Sequence, residues 1–470
     1  MTVDILPDIA LLEVFETYVE NQDKARAARK EEWSTLVHVC RKWRNVVFGS
    51  PLRLGLRLYC TARTPVRAML DIWPPLPIVI GAYGHENIEK WGMDNILAAL
   101  EHNDRICTID FWHIPSSLLE KVLEAMERPF PVLTYLQLSP GNETPPDVSA
   151  SLLGGWAAPH LKTLNLIGVP FPGLPKLLLS ATHLVDLDLW KIPHSGYISP
   201  EAMVNCLSVL TRLQSLFIGF ESPRSRPRWN SQRPAPPTRT LLPVLTKLWF
   251  KGVGEYLENF VVRINAPLLD SLRIVFLHQL VFDTPQLTQF IGRTPKFKAH
   301  GEAHVFFRDA NVSVTLPQSQ PETCDGKFLQ LEISCRQSDW QLSYLTQACS
   351  LSFPRAFIPA VEHLYIRSGS WPLHWQDDIE NSQWLEFLHP FTAVKRLYIS
   401  REFTRFIVPA LQELVGERVT DVLPSLQTLF LEETHPSEHV RQTIGSFVAA
   451  RQLANYPIAV SPWERKEFEE

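Results

Sequence analysis

The chain has 470 residues, of which 45% are hydrophobic and 20% charged, with 25 Phe, 14 Trp and 10 Tyr. This composition is typical of a folded globular protein and excludes a wholly disordered chain. The 45 Lys and Arg are balanced by 50 Asp and Glu, so the net charge is -5. The sequence therefore offers no overall positive field for a nucleic acid or an anionic membrane.

The N-terminal residues and the cysteines indicate the compartment. No basic region precedes the first apolar stretch, which contains Asp4 and Asp8, and no run reaches the ~18 uncharged apolar residues of a membrane span. The 7 cysteines include no C-x-x-C pair, so neither a disulfide framework nor a thiolate zinc site is expected. We expect a cytoplasmic or nuclear protein with reduced, mostly buried cysteines.

Residues 1–50 predict a short helical module. One helix is expected from about Pro7 to Val19 and a second from about Glu31 to Phe48, with a polar linker between them. Each helix carries one thin apolar stripe, which is too little apolar surface for independent stability. The spare apolar surface therefore predicts a partner, although the module could instead be a cap that seals the structure following it.

The order of residues in this module resembles the F-box, the helical domain through which substrate receptors join SCF-type ubiquitin ligases. The resemblance rests on Leu6-Pro7-Asp8, Leu11 to Phe15, Leu36, the V-C-x-x-W-R run from Val39 to Arg44, and Ser50-Pro51. Ile9 and Ala10 depart from the family, which usually has an acid and a larger aliphatic residue there, and no Trp follows Leu52. The resemblance implies binding to the SCF adaptor and, through it, to a cullin. The expected adaptor contacts are Leu6, Pro7, Leu11, Phe15, Val39 and Trp43.

Residues 51–105 are expected to form a junction with the first irregular repeats. A strand-like run, LRLGLRLYC, is followed by a helix near Val66 to Trp73 and by the apolar run PIVI. This segment is expected to fix the angle between the N-terminal module and the rest of the chain.

From residue 106 to about 440 the spacing L-x-x-L-x-L recurs. Clear copies are Leu133-Leu136-Leu138, Leu161-Leu164-Leu166, Leu184-Leu187-Leu189, Leu213-Leu216-Ile218, Leu245-Leu248-Phe250, Leu269-Leu272-Ile274 and Leu426-Leu429-Leu431, and looser ones start at Ile106, Phe328, Val361 and Val394. Amphipathic stretches separate the copies, so each unit is predicted to be one strand and one helix. Such units must stack to bury their apolar faces, which predicts an α/β fold with parallel strands inside and helices outside.

This pattern resembles the leucine-rich-repeat family, and the resemblance implies an irregular solenoid. The chain departs from that family three residues after the last leucine, where an Asn or Cys is usual. The residues found there are Gly141, Val169, Ile192, Val253 and Thr434.

Two stretches are expected to interrupt the repeats. Residues 222–240 are rich in Arg and Pro and predict a disordered loop, with a basic docking or phosphorylation segment around Ser222, Ser225 and Ser231 as the alternative. Residues 297–320 include an alternating apolar pattern around Asp309-Ala310-Asn311, which predicts an antiparallel hairpin. Residues 441–470 are expected to form a C-terminal helix and tail.

Strand alternation points one residue of each repeat away from the core, onto the expected concave face. In chain order these residues are Asp110, Gln137, Asn165, Asp188, Phe217, Trp249, Arg273, Glu332, Tyr365, Tyr398 and Phe430. Aromatic and Arg side chains dominate binding energy at protein interfaces. The later residues, Phe217, Trp249, Arg273, Tyr365, Tyr398 and Phe430, are therefore predicted to bind a target protein. The alternative is that a helix, a loop or the C-terminal tail covers these rings.

Sequence motifs for chemistry are absent: the chain has no phosphate-binding glycine loop, no H-E-x-x-H and no G-x-S-x-G. The pairs His300 with His304 and His435 with His439 lack further metal ligands, and Asp186 with Asp188 imply no cleft. We therefore expect no catalytic residue, metal or cofactor. The predicted function is substrate recognition in an SCF-type ubiquitin ligase. The alternatives are a repeat scaffold without adaptor binding and, more remotely, a hydrolase using the Asp186 and Asp188 pair.

Overall fold

A computed structural model describes residues 6–23, 33–51, 53–60, 66–81, 93–126, 128–141, 157–170, 173–223, 238–278, 282–299, 301–317, 327–335, 340–369, 380–432 and 438–464. The chain divides into two compact units. The first unit is Met1–Tyr197 with Val209–Leu213, and the second is Ile198–Ser208 with Gln214–Glu470. Most of the predicted Arg/Pro loop lies outside the described residues, as does Cys324.

The first unit begins with the helices α1 (Asp8–Asp23), α2 (Trp33–Val39) and α3 (Arg41–Gly49). The expectation of one continuous second helix is wrong, because Cys40 divides it. The backbone of Cys40 is extended, with φ -157 and ψ 171, and cannot continue a helical turn. Its Sγ instead accepts the backbone N–H of Trp43 at 3.5 Å and so caps α3.

The remainder of the first unit alternates strands and helices. In chain order these are β1 (Leu58–Cys60), α4 (Val66–Ile72), β2 (Ile78–Gly81), α5 (Met93–Leu100), β3 (Ile106–Ile114), α6 (Ser116–Ala125), β4 (Tyr135–Pro140), β5 (Thr163–Ile167), α7 (Leu174–Ser180) and β6 (Asp186–Ile192). The six strands pair in chain order and all pairs are parallel. Equivalent repeat positions align, with Leu136 beside Leu164 and Leu164 beside Leu187.

The second unit continues the same alternation with more strands. Its elements are α8 (Pro200–Leu207), β7 (Ser215–Phe220), β8 (Thr240–Leu241), β9 (Lys247–Gly252), α9 (Gly254–Val261), β10 (Ile264–Asn265), β11 (Ser271–Leu277), α10 (Pro285–Arg293), β12 (Glu302–Arg308), β13 (Asn311–Pro317), β14 (Phe328–Ser334), α11 (Gln341–Leu351), β15 (His363–Ser368), α12 (Asn381–Leu388), β16 (Arg396–Ile399), α13 (Arg401–Gln412), β17 (Thr428–Leu431), α14 (Glu438–Leu453) and β18 (Ala459–Pro462). Its main sheet has the order β7-β9-β11-β14-β13-β12-β15-β16-β17-β18, while β8 and β10 form a separate parallel pair.

A hairpin changes the strand order in the middle of this sheet. Strands β12 and β13 pair antiparallel, and β13 also pairs antiparallel with β14. The chain thus passes from β11 to β12, turns back through β13, and returns with β14 to the side of β11. Strand β12 then pairs in parallel with β15, so the regular parallel repeat resumes.

The core of each unit lies where the apolar repeat positions meet the helices. On the strands, the second and third apolar residues of the repeat are buried, as shown by Leu136 and Leu138 in the first unit and by Leu272 and Ile274 in the second. The α/β fold predicted from the repeat spacing is therefore confirmed. In the described part of the chain, no helix combines the length and apolar character needed to cross a membrane.

The C-terminal helix α14 is fixed by one buried cation. Arg451 is 1% exposed, and its guanidinium donates to the backbone carbonyls of Val419, Leu423, Pro424 and Leu426 at 3.0 to 3.4 Å. These carbonyls belong to the turn that precedes β17. The buried guanidinium therefore links helix α14 to the last repeat. A further strand, β18, follows α14, where only a helix and tail were expected.

We predict that Arg451→Met destabilises the protein by roughly 3 kcal/mol, since it leaves four inward-facing carbonyls without their charged donor. Chemical denaturation of the full chain measures this. Arg441→Met is the matched control, because Arg441 lies on the same helix but is exposed, with its guanidinium 3.8 Å from the carboxylate of Glu438. Equal losses in both variants would contradict a special role for Arg451.

Candidate functional site

The N-terminal module is held together by contacts between α1 and α3. The rings of Phe15 and Trp43 lie 4.7 Å apart, and Lys42 Nζ donates to the carbonyl of Leu6 at 2.7 Å. Arg53, which follows α3, donates a hydrogen bond to the carboxylate of Glu16 on α1 at 2.9 Å. These contacts fix the start of α1 beside the V-C-x-x-W-R segment.

The six residues expected to contact an adaptor differ in their exposure to solvent. Leu11 and Phe15 are only 1% and 0% exposed, because they form the module's own interior. They are therefore corrected from surface contacts to packing residues, and Trp43 is partly covered by Phe15. Leu6, Pro7 and Val39 are exposed.

Two other apolar side chains of the module, Ile9 and Val14, were not among the expected contacts and face outward like Val39. Ile9 is 64% exposed, Val14 55% and Val39 59%. The hydroxyl oxygens of Tyr18 on α1 and Thr35 on α2 are 3.5 Å apart. Val14 lies one helical turn before Tyr18 on α1, and Val39 lies one helical turn after Thr35 on α2. We call the exposed residues Leu6, Ile9, Val14, Tyr18 and Val39 the outer apolar set. Helical spacing of Val14 and Tyr18 on α1 is the sequence signal that could have found part of it.

A second face of the module packs onto the first repeats. The Trp33 ring lies 5.2 Å from Trp73, which follows α4, and 6.0 Å from Phe48. The indole N–H of Trp33 donates to the carbonyl of Arg57 at 3.0 Å. The module thus combines an inward aromatic face, as a cap would have, with the outward outer apolar set.

In the second unit, four rings on neighbouring strands form a continuous stack, here called the aromatic row: His304, Tyr365, Tyr398 and Phe430. Successive ring centroids are 4.6, 4.2 and 4.5 Å apart, with interplanar angles of 5, 10 and 6 degrees. The spacing follows from in-register strands about 4.8 Å apart. His304 was not predicted here, because it belongs to the hairpin and has no repeat spacing.

The C-terminal tail covers part of this row. The Trp463 ring lies 6.2 Å from Tyr365 and 5.6 Å from Tyr398, and the Arg367 guanidinium lies 4.9 Å from the Tyr365 ring and 5.1 Å from the Trp463 ring. The alternative that the tail packs on the rings therefore applies to Tyr365 and Tyr398. All four rings of the row nevertheless remain partly exposed.

The other predicted target-binding residues form a separate cluster on β7, β9 and β11. Phe217 is buried against Trp249 with ring centroids 4.5 Å apart, and the Arg273 guanidinium lies 4.4 Å from the Trp249 ring. Arg273 also forms a 2.7 Å ion pair with the buried Glu332. The predicted repeat frame was wrong at Glu332, because strand pairing aligns Arg273 with Gln330.

The helix-free face of the first unit carries polar side chains instead. Strand pairing aligns Asp110, Gln137, Asn165 and Asp188 on β3 to β6, and we call these four residues the polar row. Gln137 Oε1 accepts from the Tyr135 hydroxyl at 2.7 Å and from Asn165 Nδ2 at 3.0 Å. Burial raises the pKa of Asp188 to about 6. Burial, with the nearby charges of Asp110 and Asp188, raises the pKa of Tyr135 to about 12.

Among the described residues, the side chains considered for catalysis or metal binding do not form a cluster. Asp186 and Asp188 lie two residues apart on β6, and His304 contacts Glu302 at 2.7 Å on one strand. His300 and His435 lie outside the described residues, and nothing is described of the His439 side chain. Burial raises the pKa of the Cys335 and Cys349 thiols to about 12, which disfavours their nucleophilic form. Within the described ranges, no group of three or more His, Cys, Asp or Glu could hold a metal.

Comparison with known proteins finds solved structures that are similar at low sequence identity. No protein-family model matches the chain, and no curated protein matches its sequence. The leucine-rich-repeat-containing protein LegL7 from Legionella pneumophila is 12% identical, with 83% of this chain and 97% of that chain covered and a TM-score of 0.29. A chain of the Rad7 and Elc1 complex in yeast is 12% identical, with 92% and 91% covered and a TM-score of 0.32.

We predict that the stability of the protein depends on pH through Asp188. Its pKa is raised in the folded state, so its contribution to stability is largest below about pH 4 and is lost as the pH rises through 6. Asp188→Asn should therefore stabilise the fold by roughly 1 to 2 kcal/mol at pH 7.5 and have little effect at pH 4, as measured by denaturation at both values. Asp104→Asn, in an exposed turn, is the control and should have no such pH dependence. An equal effect of Asp188→Asn at both pH values would contradict this assignment.

Proposed function

We propose that this protein is the substrate-recognition subunit of an SCF-type ubiquitin ligase. The N-terminal module binds the SCF adaptor, and the repeats bind the protein to be ubiquitylated. The observation that carries the proposal is the outer apolar set, displayed on a helical module whose residues follow the order of an F-box.

Burial of the module's exposed apolar side chains against a partner would stabilise the complex. A side chain of this class gains roughly 1.5 to 3 kcal/mol when it is fully removed from water. Val14 and Val39 each lie one helical turn from the contact between Tyr18 and Thr35, and apolar surface that the fold leaves uncovered is typical of a protein interface. Leu11 and Phe15 are buried in the interior of the module, whereas the side chains of the outer apolar set are exposed and can contact an adaptor.

The repeats supply surfaces suited to a target protein. The aromatic row and the cluster around Trp249 and Arg273 present partly exposed rings and a guanidinium, the residue types that dominate interface energy. The chain itself performs no bond chemistry in this function. It accelerates transfer by holding the target close to a charged ubiquitin-conjugating enzyme, which makes the reaction effectively intramolecular.

We predict that Val14→Glu with Val39→Glu weakens adaptor binding at least tenfold, because two charges replace exposed apolar side chains of the outer apolar set. Binding is measured with purified adaptor by calorimetry and by co-purification of adaptor and cullin from the protein's own cells. Both positions are exposed, so the variant should fold as the parent protein does.

The matched control is Leu179→Glu with Leu268→Glu, which likewise replaces two exposed aliphatic side chains by carboxylates, at positions outside the module. It should bind adaptor as the parent protein does. Failure of the parent protein to bind adaptor would favour a repeat scaffold without adaptor binding. Equal binding by both double variants would place the adaptor contact elsewhere and overturn this assignment of the surface.

We predict that Trp249→Ala reduces capture of the target protein at least tenfold without weakening adaptor binding. Trp249 is 36% exposed and joins Phe217 to Arg273, so its loss removes a ring at the centre of that cluster. Targets are identified by proximity labelling with the parent protein and then compared between variants.

Trp340→Ala is the control for this experiment, since Trp340 is 43% exposed but precedes helix α11 rather than lying on a strand. Loss of the same captured proteins from both Trp variants would argue against recognition at the cluster around Trp249.

A further inference from the structure

Residues 459–464 lie against the aromatic row in the way that a bound peptide would. Strand β18 is the last strand in the order of the main sheet, and directly after it the backbone N–H of Trp463 donates to the carbonyl of Leu431 at 2.8 Å. The Trp463 ring centroid lies 5.6 Å from that of Tyr398 and 6.2 Å from that of Tyr365. An extended backbone therefore carries an aromatic side chain onto the row.

The rings of the aromatic row present mainly their edges to this segment. Neighbouring rings are within 5 to 10 degrees of parallel, so each ring covers a face of the next. The edge of an aromatic ring is partly positive and its face partly negative, which favours inclined and edge-to-face contacts between rings. The Trp463 ring is inclined to Tyr365 by 57 degrees and to Tyr398 by 67 degrees, in agreement with this preference. The outward edges of the row therefore favour contact with a further aromatic ring.

Positive charge borders the part of the row that Trp463 covers. The Arg367 guanidinium lies 4.9 Å from the Tyr365 ring and 5.1 Å from the Trp463 ring. Strand pairing aligns Arg367 with Phe306, and the exposed Arg308 follows Phe306 by two residues on the same face of β12. A carboxylate next to an aromatic anchor is attracted to these guanidinium groups.

Two carboxylates near the row are directed to other groups of the chain. A carboxylate oxygen of Glu302 lies 2.7 Å from His304 Nε2. The carboxylate of Glu432, which follows β17, accepts the backbone N–H of Arg401 at 3.1 Å. Both carboxylates thus have positions set by partners of their own, whereas the Arg367 guanidinium lies on the rings.

Burial holds residues 459–464 in place only weakly. Ala459, Val460 and Pro462 are exposed, and Ser461 and Trp463 are half-buried. Among the described strands, β18 pairs with β17 alone, and Pro462 has no backbone N–H to donate. A short strand with exposed side chains at the end of a sheet opens at a lower free energy than the core does. A segment of another protein can therefore displace it.

We propose that the aromatic row binds an aromatic side chain with a neighbouring carboxylate, both from an extended segment of the target protein. The ring of the target takes the position of Trp463 against Tyr365 and Tyr398, and the carboxylate pairs with the guanidinium of Arg367. Trp463 and the target compete for one surface, so the chain's own C-terminal segment covers the site until a target displaces it. This inference rests on the target-binding role proposed for the repeats and specifies the kind of segment that they recognise.

The experiment uses the full chain, its Trp463→Ala variant and a defined probe, acetyl-Ser-Pro-Trp-Glu-amide, which repeats the sequence of residues 461–464. One comparison peptide has Ala in place of Trp, and a second has Gln in place of Glu. Affinities are measured by calorimetry. We expect Trp463→Ala to bind the probe at least tenfold more tightly than the parent protein, because the variant leaves the ring position open. The Ala peptide should bind this variant at least tenfold more weakly than the probe.

Further variants test the two parts of the recognition. Added to Trp463→Ala, Arg367→Gln should abolish the preference for the Glu peptide over the Gln peptide while the Trp peptide still binds better than the Ala peptide. Trp340→Ala, the same change at an exposed Trp that is 43% exposed and lies outside the sheet, should leave the affinity of the parent protein for the probe unchanged. Thermal unfolding of each variant verifies that it is folded.

Equal affinity of the parent protein and Trp463→Ala for the probe would overturn the proposal. No binding to folded Trp463→Ala at millimolar concentration, or equal affinity for the Trp and Ala peptides, would overturn it as well. Adaptor binding is measured on the same samples and should be equal in the parent protein and Trp463→Ala, because it depends on the N-terminal module. A parent protein that binds no adaptor would refute the ligase role, whereas failure of the peptide experiment alone would refute only this inference.

Discussion

The hydrogen-bonded register between neighbouring strands is the constraint on which the functional surfaces depend. Parallel strands about 4.8 Å apart place equivalent repeat residues side by side, so one position in the repeat becomes one row on the sheet. Flat rings at that position stack at 4.2 to 4.6 Å in the second unit. Polar residues at the same position are aligned on neighbouring strands of the first unit, where Asn165 donates to Gln137. The choice of side chain at a single repeat position therefore sets the chemistry of each surface.

The repeat spacing predicted the fold well because it reports burial directly. Where the hydrophobic pattern was clear, as at Leu245-Leu248-Phe250, the strand register followed from it. It failed at Glu332, where the apolar residues Phe328, Leu331 and Ile333 mimic the spacing two residues out of frame. Alternation with a period of two cannot distinguish these frames, and only pairing with β11 decides between them.

The surfaces were less predictable than the fold, since each depends on contacts between distant parts of the chain. His304 enters the aromatic row only because the hairpin carries β12 to the side of β15. Trp463 contacts the same row because strand β18 follows α14 and pairs with β17. The repeat spacing did not predict this strand. In the N-terminal module, the motif identified Leu11 and Phe15 correctly as apolar positions. It could not reveal that both point inward, because that depends on how α1 packs on α3.

The aromatic row and the polar row have opposite effects on the stability of the sheet on which each lies. A stacked aromatic row stabilises the sheet on which it lies, because ring contacts add to the burial of each ring. It can still offer ring edges and faces to a partner. In the polar row, buried atoms of Gln137, Asn165 and Asp188 find no hydrogen-bond partner among the described residues, and burial raises the pKa of the Asp188 carboxyl. One position of the repeat therefore adds to stability where it carries rings and lowers it where it carries polar atoms that burial leaves without a partner.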